Sequence, residues 1–241
     1  MILPLVVSHV EWRTARRRLL AREKEATRLR DQLAAQRRQL PVVRVVHPYV
    51  FESPDGPRTL RELFAGRRQL IVYHFMFDPE WAEGGKGCSH LADSVDGILV
   101  HLAARDTAFV AISRAPLERI EPFRKRMGWS FPWLSSHGCS FNYDFHVTLD
   151  EDADAEYEHN FTSAALLLET RKIPAGRGEL PGLSVFLREG DDVYHTYSTY
   201  QRGLDALLPT YTLLDMTPLG RQEADGEPAL GWLRHHDRYR G

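Results

Sequence analysis

Apolar residues recur with two different periods along this chain. Between Ser8 and Leu40 they return every three or four positions, through Trp12, Ala15, Leu19, Ala26, Leu29, Leu33 and Leu40, with Arg22 and Gln36 interrupting the stripe. This is the helical period, and the other faces are crowded with Arg and Glu. Ser8-His-Val-Glu11 reads as a capping box, in which the Ser8 hydroxyl and Glu11 carboxylate satisfy two amide donors orphaned at a helix start. Pro41 sets the far end, because proline disfavours helix at the residue before it. The pattern predicts one helix over residues 8–40 whose stripe must cover its own domain or a partner subunit. The expectation is a homodimer joined through this helix.

From residue 42 the texture changes to short apolar runs separated by turn and helix signals. Val42–Val46 and Tyr49–Phe51 read as strands, and Leu60–Phe64 as a short helix. Gln69–Phe77 is a continuous apolar run of the kind buried on both faces of a sheet. A loop over 78–87 then leads into a helix predicted from Cys88 to Arg105. Thr107–Ser113 is a strand, Leu117–Met127 a helix and Pro132–Ser135 a strand, while the acidic stretch Asp150–Glu158 reads as a surface excursion. Leu183–Arg188 and Val193–Tyr200 form two strands around the turn Glu189–Asp192, with a final helix behind them. Strand, helix, strand, helix, hairpin and helix is the thioredoxin-like α/β order, a central mixed sheet flanked by helices. The expected organisation is a helical extension (1–41), an α/β domain (42–220) and a polar tail (221–241) in which His235 and His236 face solvent.

Composition narrows the function classes. The net charge is −2 over 241 residues, so no general field favours nucleic acid or a membrane surface. The Arg runs of the first helix lack the interleaved aromatic platforms that single-stranded nucleic acid would want. No apolar run approaches the roughly 20 residues needed to cross a bilayer. Two cysteines, Cys88 and Cys139, are too few for a disulfide-stapled secreted fold. The expectation is a soluble cytoplasmic protein that handles a small molecule. No Rossmann glycine fingerprint or phosphate loop is present, so nicotinamide and ATP are not expected as cofactors.

The loop entering the helix at Cys88 is where a thioredoxin-type fold places its chemistry. A thiol at a helix start meets the positive end of the backbone dipole, which favours thiolate. Such folds carry two cysteines there, one attacking and one resolving. Here the four residues are Gly85-Lys-Gly-Cys88, so the attacking position is glycine.

The segments Leu70-Ile-Val-Tyr-His-Phe-Met-Phe77, Trp81, Cys88-Ser89, Ala92-Asp93, Leu102-Ala-Ala-Arg-Asp106, Ser113-Arg-Ala-Pro116, Met127-Gly-Trp129, Phe131-Pro-Trp133, Phe141-Asn-Tyr-Asp-Phe145, Pro181-Gly-Leu-Ser-Val-Phe186 and His195-Thr-Tyr-Ser-Thr-Tyr200 resemble a bacterial thioredoxin-like family of unknown function, related to peroxiredoxins. The resemblance implies a Cys-Pro-x-Cys-Ser loop whose first cysteine falls on Gly85, and it makes Pro181 the counterpart of the fold's cis-proline. His90, His137, Cys139 and His146 stand where the family carries other residues. A lost thiol pair beside new imidazoles suggests changed chemistry. The leading expectation is an oxidoreductase, oxygenase-like, on a small and aromatic metabolite. Its catalytic residues are Cys88, His90 and His137, with His90 or His137 taking a proton, as histidine does near neutral pH. His74, Trp81, Gly85, Gly87, Trp133, Cys139, Tyr143 and Pro181 are the expected substrate-binding residues. Copper or zinc held by His90, His137, Cys88 and Cys139 is kept open. Two alternatives stand beside it: a one-cysteine peroxidase or reductase acting through Cys88, and a non-catalytic ligand-binding or dimerising module.

Overall fold

The computed structural model describes residues 5–149, 158–163, 166, 178–223 and 230–239. The chain divides into two compact units, residues 1–41 and 42–241. The first is a single helix, α1 (His9–Arg37), opened by the expected capping box between Ser8 and Glu11. It buries none of its own residues, and Trp12, Leu19, Leu29 and Leu33 are all exposed.

The second unit begins with β1 (Val43–Arg44), β2 (Val50–Phe51) and β3 (Arg58–Thr59), followed by β4 (Gln69–His74). Two short helices, α2 (Lys86–Ala92) and α3 (Leu99–Ala103), lead to β5 (Thr107–Ser113). Then come α4 (Leu117–Arg126), β6 (Trp133–Ser135), α5 (Phe141–Asp144) and β7 (Thr148–Leu149). The small hairpin β8 (Glu158–His159) and β9 (Thr162–Ser163) precedes β10 (Gly178–Glu179). The long hairpin β11 (Gly182–Glu189) and β12 (Asp192–Tyr200) is followed by α6 (Pro209–Leu214).

The main sheet runs β1-β12-β11-β4-β5-β6. β4, β5 and β6 are mutually parallel, and β11 lies antiparallel to both β4 and β12. The four central strands, β12-β11-β4-β5, have the order and directions of a thioredoxin-like fold. The protein is thus an α/β thioredoxin-like domain with a long N-terminal helix and a mixed sheet flanked by helices.

Alternation along β4 builds both halves of the core. Leu70 and Val72 face one cluster, with Phe51, Phe64, Phe141 and Phe186. Tyr73, and Phe75 and Phe77 beyond the strand, face the other, with Ile120, Phe123, Trp129 and Trp133. Gly84 is required by this second cluster: a Cβ there would come within 2.6 Å of the Phe75 ring.

Several sequence expectations are corrected. The run Val42–Val46 forms strand only at Val43 and Arg44, with one further bond from the Val45 N–H to the Val193 carbonyl. The helix expected over Cys88–Arg105 starts at Lys86 and breaks after Ala92. Gly97 weakens helix there, and the Asp96 carboxylate is taken up by the amides of Ser130 and Phe131. Among the described residues no peptide bond is cis, so Pro181 follows a trans bond at the entry to β11. His235 is buried, not solvent-facing. Apart from Glu158, the acidic stretch Asp150–Glu158 lies outside the described residues.

Candidate functional site

Gly85 caps α2 and Cys88 follows in its first turn. The Gly85 N–H donates to the Met76 carbonyl at 2.8 Å, which returns the loop to the end of β4. The Met76 N–H donates to the Cys88 sulfur at 3.3 Å. Cys88 is only 2% exposed and belongs to the apolar cluster around Tyr73 and Phe75. Burial pushes its thiol up to about 11, against weaker opposing bonds from Tyr73 and the Met76 amide. Both cysteines are free thiols.

The C-terminal tail covers this loop. The His235 ring hydrogen-bonds the Gly84 carbonyl at 3.0 Å and packs edge-on to Phe123. His236 bonds Asp93 at 2.6 Å, and Arg238 pairs with Glu83. A side chain added at Gly87 would meet Leu230 at 3.4 Å. His90 has its ring against Tyr211 and Trp232. Among the described residues neither of its nitrogens has a hydrogen-bond partner, and burial lowers its pKa. Burial thus disfavours the thiolate of Cys88 and the imidazolium of the half-buried His90, with Gly85 and Gly87 in the same loop and helix start.

Beyond the carboxyl ends of β4 and β5, where open α/β sheets gather ligands, lies a different cluster. Arg114 follows β5 directly. Its Nε donates to Glu179 Oε1 at 2.7 Å, one terminal nitrogen pairs with Asp78, and the other donates to the Tyr143 hydroxyl oxygen at 3.1 Å. Arg114, Asp78 and Glu179 are nearly buried. Glu179 also accepts from Thr148 at 3.0 Å and from Asn142 at 3.3 Å. Burial raises the pKa of Glu179, with Arg114 pulling it back. The register of β10 on β7, which sets Glu179 opposite Thr148, holds the carboxylate in place.

Arg114 and Tyr143 line a cavity of about 350 Å³ together with His137, Gly138, Cys139 and Ser140. His137 is carried on a tight turn in which the Cys139 N–H returns to the Ser136 carbonyl at 3.1 Å. Gly138 occupies φ +84° in that turn, a conformation glycine adopts without strain. The His137 N–H donates to Ser135 Oγ at 3.0 Å. Cys139 is half-buried, and burial raises its pKa.

Three residues expected from the sequence, His137, Cys139 and Tyr143, thus share one cavity. The remaining expected residues lie elsewhere. Trp133 is buried in the core and bonds Ser113. Trp81 packs against the same core cluster. His74 is buried and stacks on Phe141 and Phe145. Among the described residues no group of three His, Cys, Asp or Glu side chains is placed to hold a metal ion. Cys88 packs in one core cluster and Cys139 against the other, so the four potential metal ligands do not converge. Sequence reading missed Arg114, Asp78 and Glu179. Arg114 stood in Ser113-Arg-Ala-Pro116, where a cation directly after a buried strand was the available signal.

A family model described as "Bacterial protein of unknown function (DUF899)" matches residues 1–239. Similar solved structures include PrxQ of Xylella fastidiosa, at 12% identity over 72% of this chain and 94% of that one, with a TM-score of 0.45. Peroxiredoxin Q of Xanthomonas campestris is similar at 13% identity over 72% and 98%, TM-score 0.45. Peroxidoxin BcpB of Mycobacterium tuberculosis is similar at 15% identity over 71% and 95%, TM-score 0.43. No curated protein matches the chain.

Proposed function

We propose, from the premise that this chain belongs to the bacterial family DUF899, that it is an oxidoreductase of a small carbonyl or phenolic compound, acting by acid–base chemistry in the Arg114 cavity without dithiol exchange. One observation carries the reading. Arg114 is fixed by two carboxylates and donates to the Tyr143 oxygen, on the wall of a cavity that also holds His137. Since Tyr143 accepts from the guanidinium, its own hydroxyl hydrogen is left for a ligand. A backed phenol donor and an imidazole on one cavity supply an oxyanion stabiliser and a base.

In this scheme a substrate C–H or O–H bond breaks and its proton passes to His137. The electron pair stays on the substrate as enolate or phenolate, whose oxygen Tyr143 holds. Dioxygen is the electron acceptor; it adds at carbon, and the resulting peroxide anion regains a proton from His137. Gly85, standing where the resemblance implies a first loop cysteine, fits this reading, since Cys88 then has no partner thiol in the loop. The buried, raised-pKa Cys88 and its covered loop count against the thiol alternative.

Oxygen uptake by the full chain, measured with a panel of phenols and 1,3-dicarbonyl compounds, tests the proposal. Uptake with at least one of them, kept in Cys88→Ser, is the expected result. Uptake with none, or uptake that vanishes in Cys88→Ser, removes it. We further propose that α1 joins two copies, its exposed stripe of Trp12, Leu19, Leu29 and Leu33 being the seam.

A further inference from the structure

A second constellation, outside the Arg114 cavity, is built by a break in strand pairing. In β12, Tyr197 pairs with Val185 and His195 with Phe186, so Thr196 is an extra residue without a partner. Its hydroxyl fills the bulge by donating to the Val185 carbonyl at 3.0 Å. Along a regular strand residues three apart point to opposite faces, and a one-residue bulge re-aims the side chains that follow it. Here it brings His195 and Ser198 to the same face, with His195 Nε2 2.7 Å from Ser198 Oγ.

The pair is backed by a polar chain running into the core. Ser198 Oγ lies 2.7 Å from Ser184 Oγ, and Ser184 Oγ lies 2.8 Å from His74 Nε2. Burial lowers the pKa of His195, against a weaker opposing bond between its ring and the Tyr197 backbone. In the tautomer with its hydrogen on Nδ1, His195 accepts from Ser198 at Nε2. Ser198 then accepts from Ser184, and Ser184 from His74. A hydroxyl that donates to an imidazole whose far nitrogen is itself oriented is the arrangement of an activated nucleophile.

His195 and Ser198 both line a cavity of about 480 Å³ at the β1 edge of the sheet. Val43, Val46, Phe145 and Phe161 give it apolar walls, and Tyr200 lines it beside Ser198. We propose that Ser198 is a nucleophile with His195 as its base, and that this cavity takes a small ester or other activated acyl compound. Ser198 Oγ attacks the acyl carbon while its proton passes to His195 Nε2. The bond to the leaving alkoxide or phenoxide breaks, and that oxygen takes the proton from His195. Water then attacks the acyl-serine, gives its proton through His195 to Ser198 Oγ, and releases the carboxylic acid.

The test is covalent labelling of the full chain with diisopropyl fluorophosphate, read by intact mass and peptide mapping. One adduct on Ser198 is expected, absent from a Ser198→Ala variant shown by circular dichroism to keep its fold. A His195→Gln variant, which keeps the nucleophile, is expected to label about a hundredfold more slowly. A chain that takes no adduct, an adduct mapped to another residue, or unchanged labelling in either variant overturns the proposal. None of these readouts involves Arg114, His137 or oxygen uptake, so the two sites are tested independently.

Discussion

His235 hydrogen-bonds the carbonyl of Gly84 at 3.0 Å, joining residues 151 positions apart. Through this bond the end of the chain closes the loop in which a thioredoxin-like fold exposes its thiols. Replacing His235 and Trp232 together by Ala is expected to uncover the loop. Alkylation of Cys88 by iodoacetamide at neutral pH, followed by mass spectrometry, should rise about tenfold or more, while loss of the buried His235 bond costs about 1–3 kcal/mol. Unchanged alkylation would mean that the tail does not control access.

The Cys88 thiol itself sets a second expectation. With burial pushing it up to about 11, the thiolate fraction at pH 7 is about one in ten thousand. The alkylation rate of the intact chain should therefore climb steadily from pH 7 to 10 with no inflection. An inflection near or below pH 7 would identify an activated thiol and revive one-cysteine chemistry.

His74 gives the chain an acid-sensitive element. Burial first, then His195, lowers its pKa to about 3, so the folded imidazole stays neutral. The unfolded state, near 6.5, binds the proton first, so stability rises with pH between the two values. The contribution is fully present above about pH 6.5 and is lost as pH falls toward 3, with an upper bound of about 5 kcal/mol. Denaturant titrations at a series of pH values should show a flatter acid limb in His74→Gln than in the parent chain. Equal slopes would place the acid sensitivity elsewhere.

The exposed stripe of α1 leads to an expectation about mass in solution. Light scattering of the intact chain should report a dimer, and Leu19, Leu29 and Leu33 changed together to Glu should give a monomer. A monomeric intact chain would remove the proposed seam.

Much of the fold was legible because its signals are local. The capping box of Ser8 and Glu11, the run Leu70–His74 and the turn between β11 and β12 each follow from neighbouring residues. What escaped depended on distant partners. Arg114 bonds carboxylates 36 and 65 positions away, so neither Asp78 nor Glu179 advertises itself in sequence. His235 lies in a polar tail, and only its meeting with Gly84 and Phe123 buries it. The pairing of His195 with Ser198 required a bulge at Thr196 that no spacing of residue types announces. His137, Cys139 and Tyr143 line one cavity because they lie within a few residues of one another around the turn after β6.

The decisive measurement is oxygen uptake by the full chain on a substrate from the phenol and dicarbonyl panel, compared across three proteins. The intact chain and Cys88→Ser should turn over alike, while His137→Ala should lose about a hundredfold or more. Turnover lost in Cys88→Ser and kept in His137→Ala would contradict acid–base chemistry at the Arg114 cavity and return the reaction to the thiol.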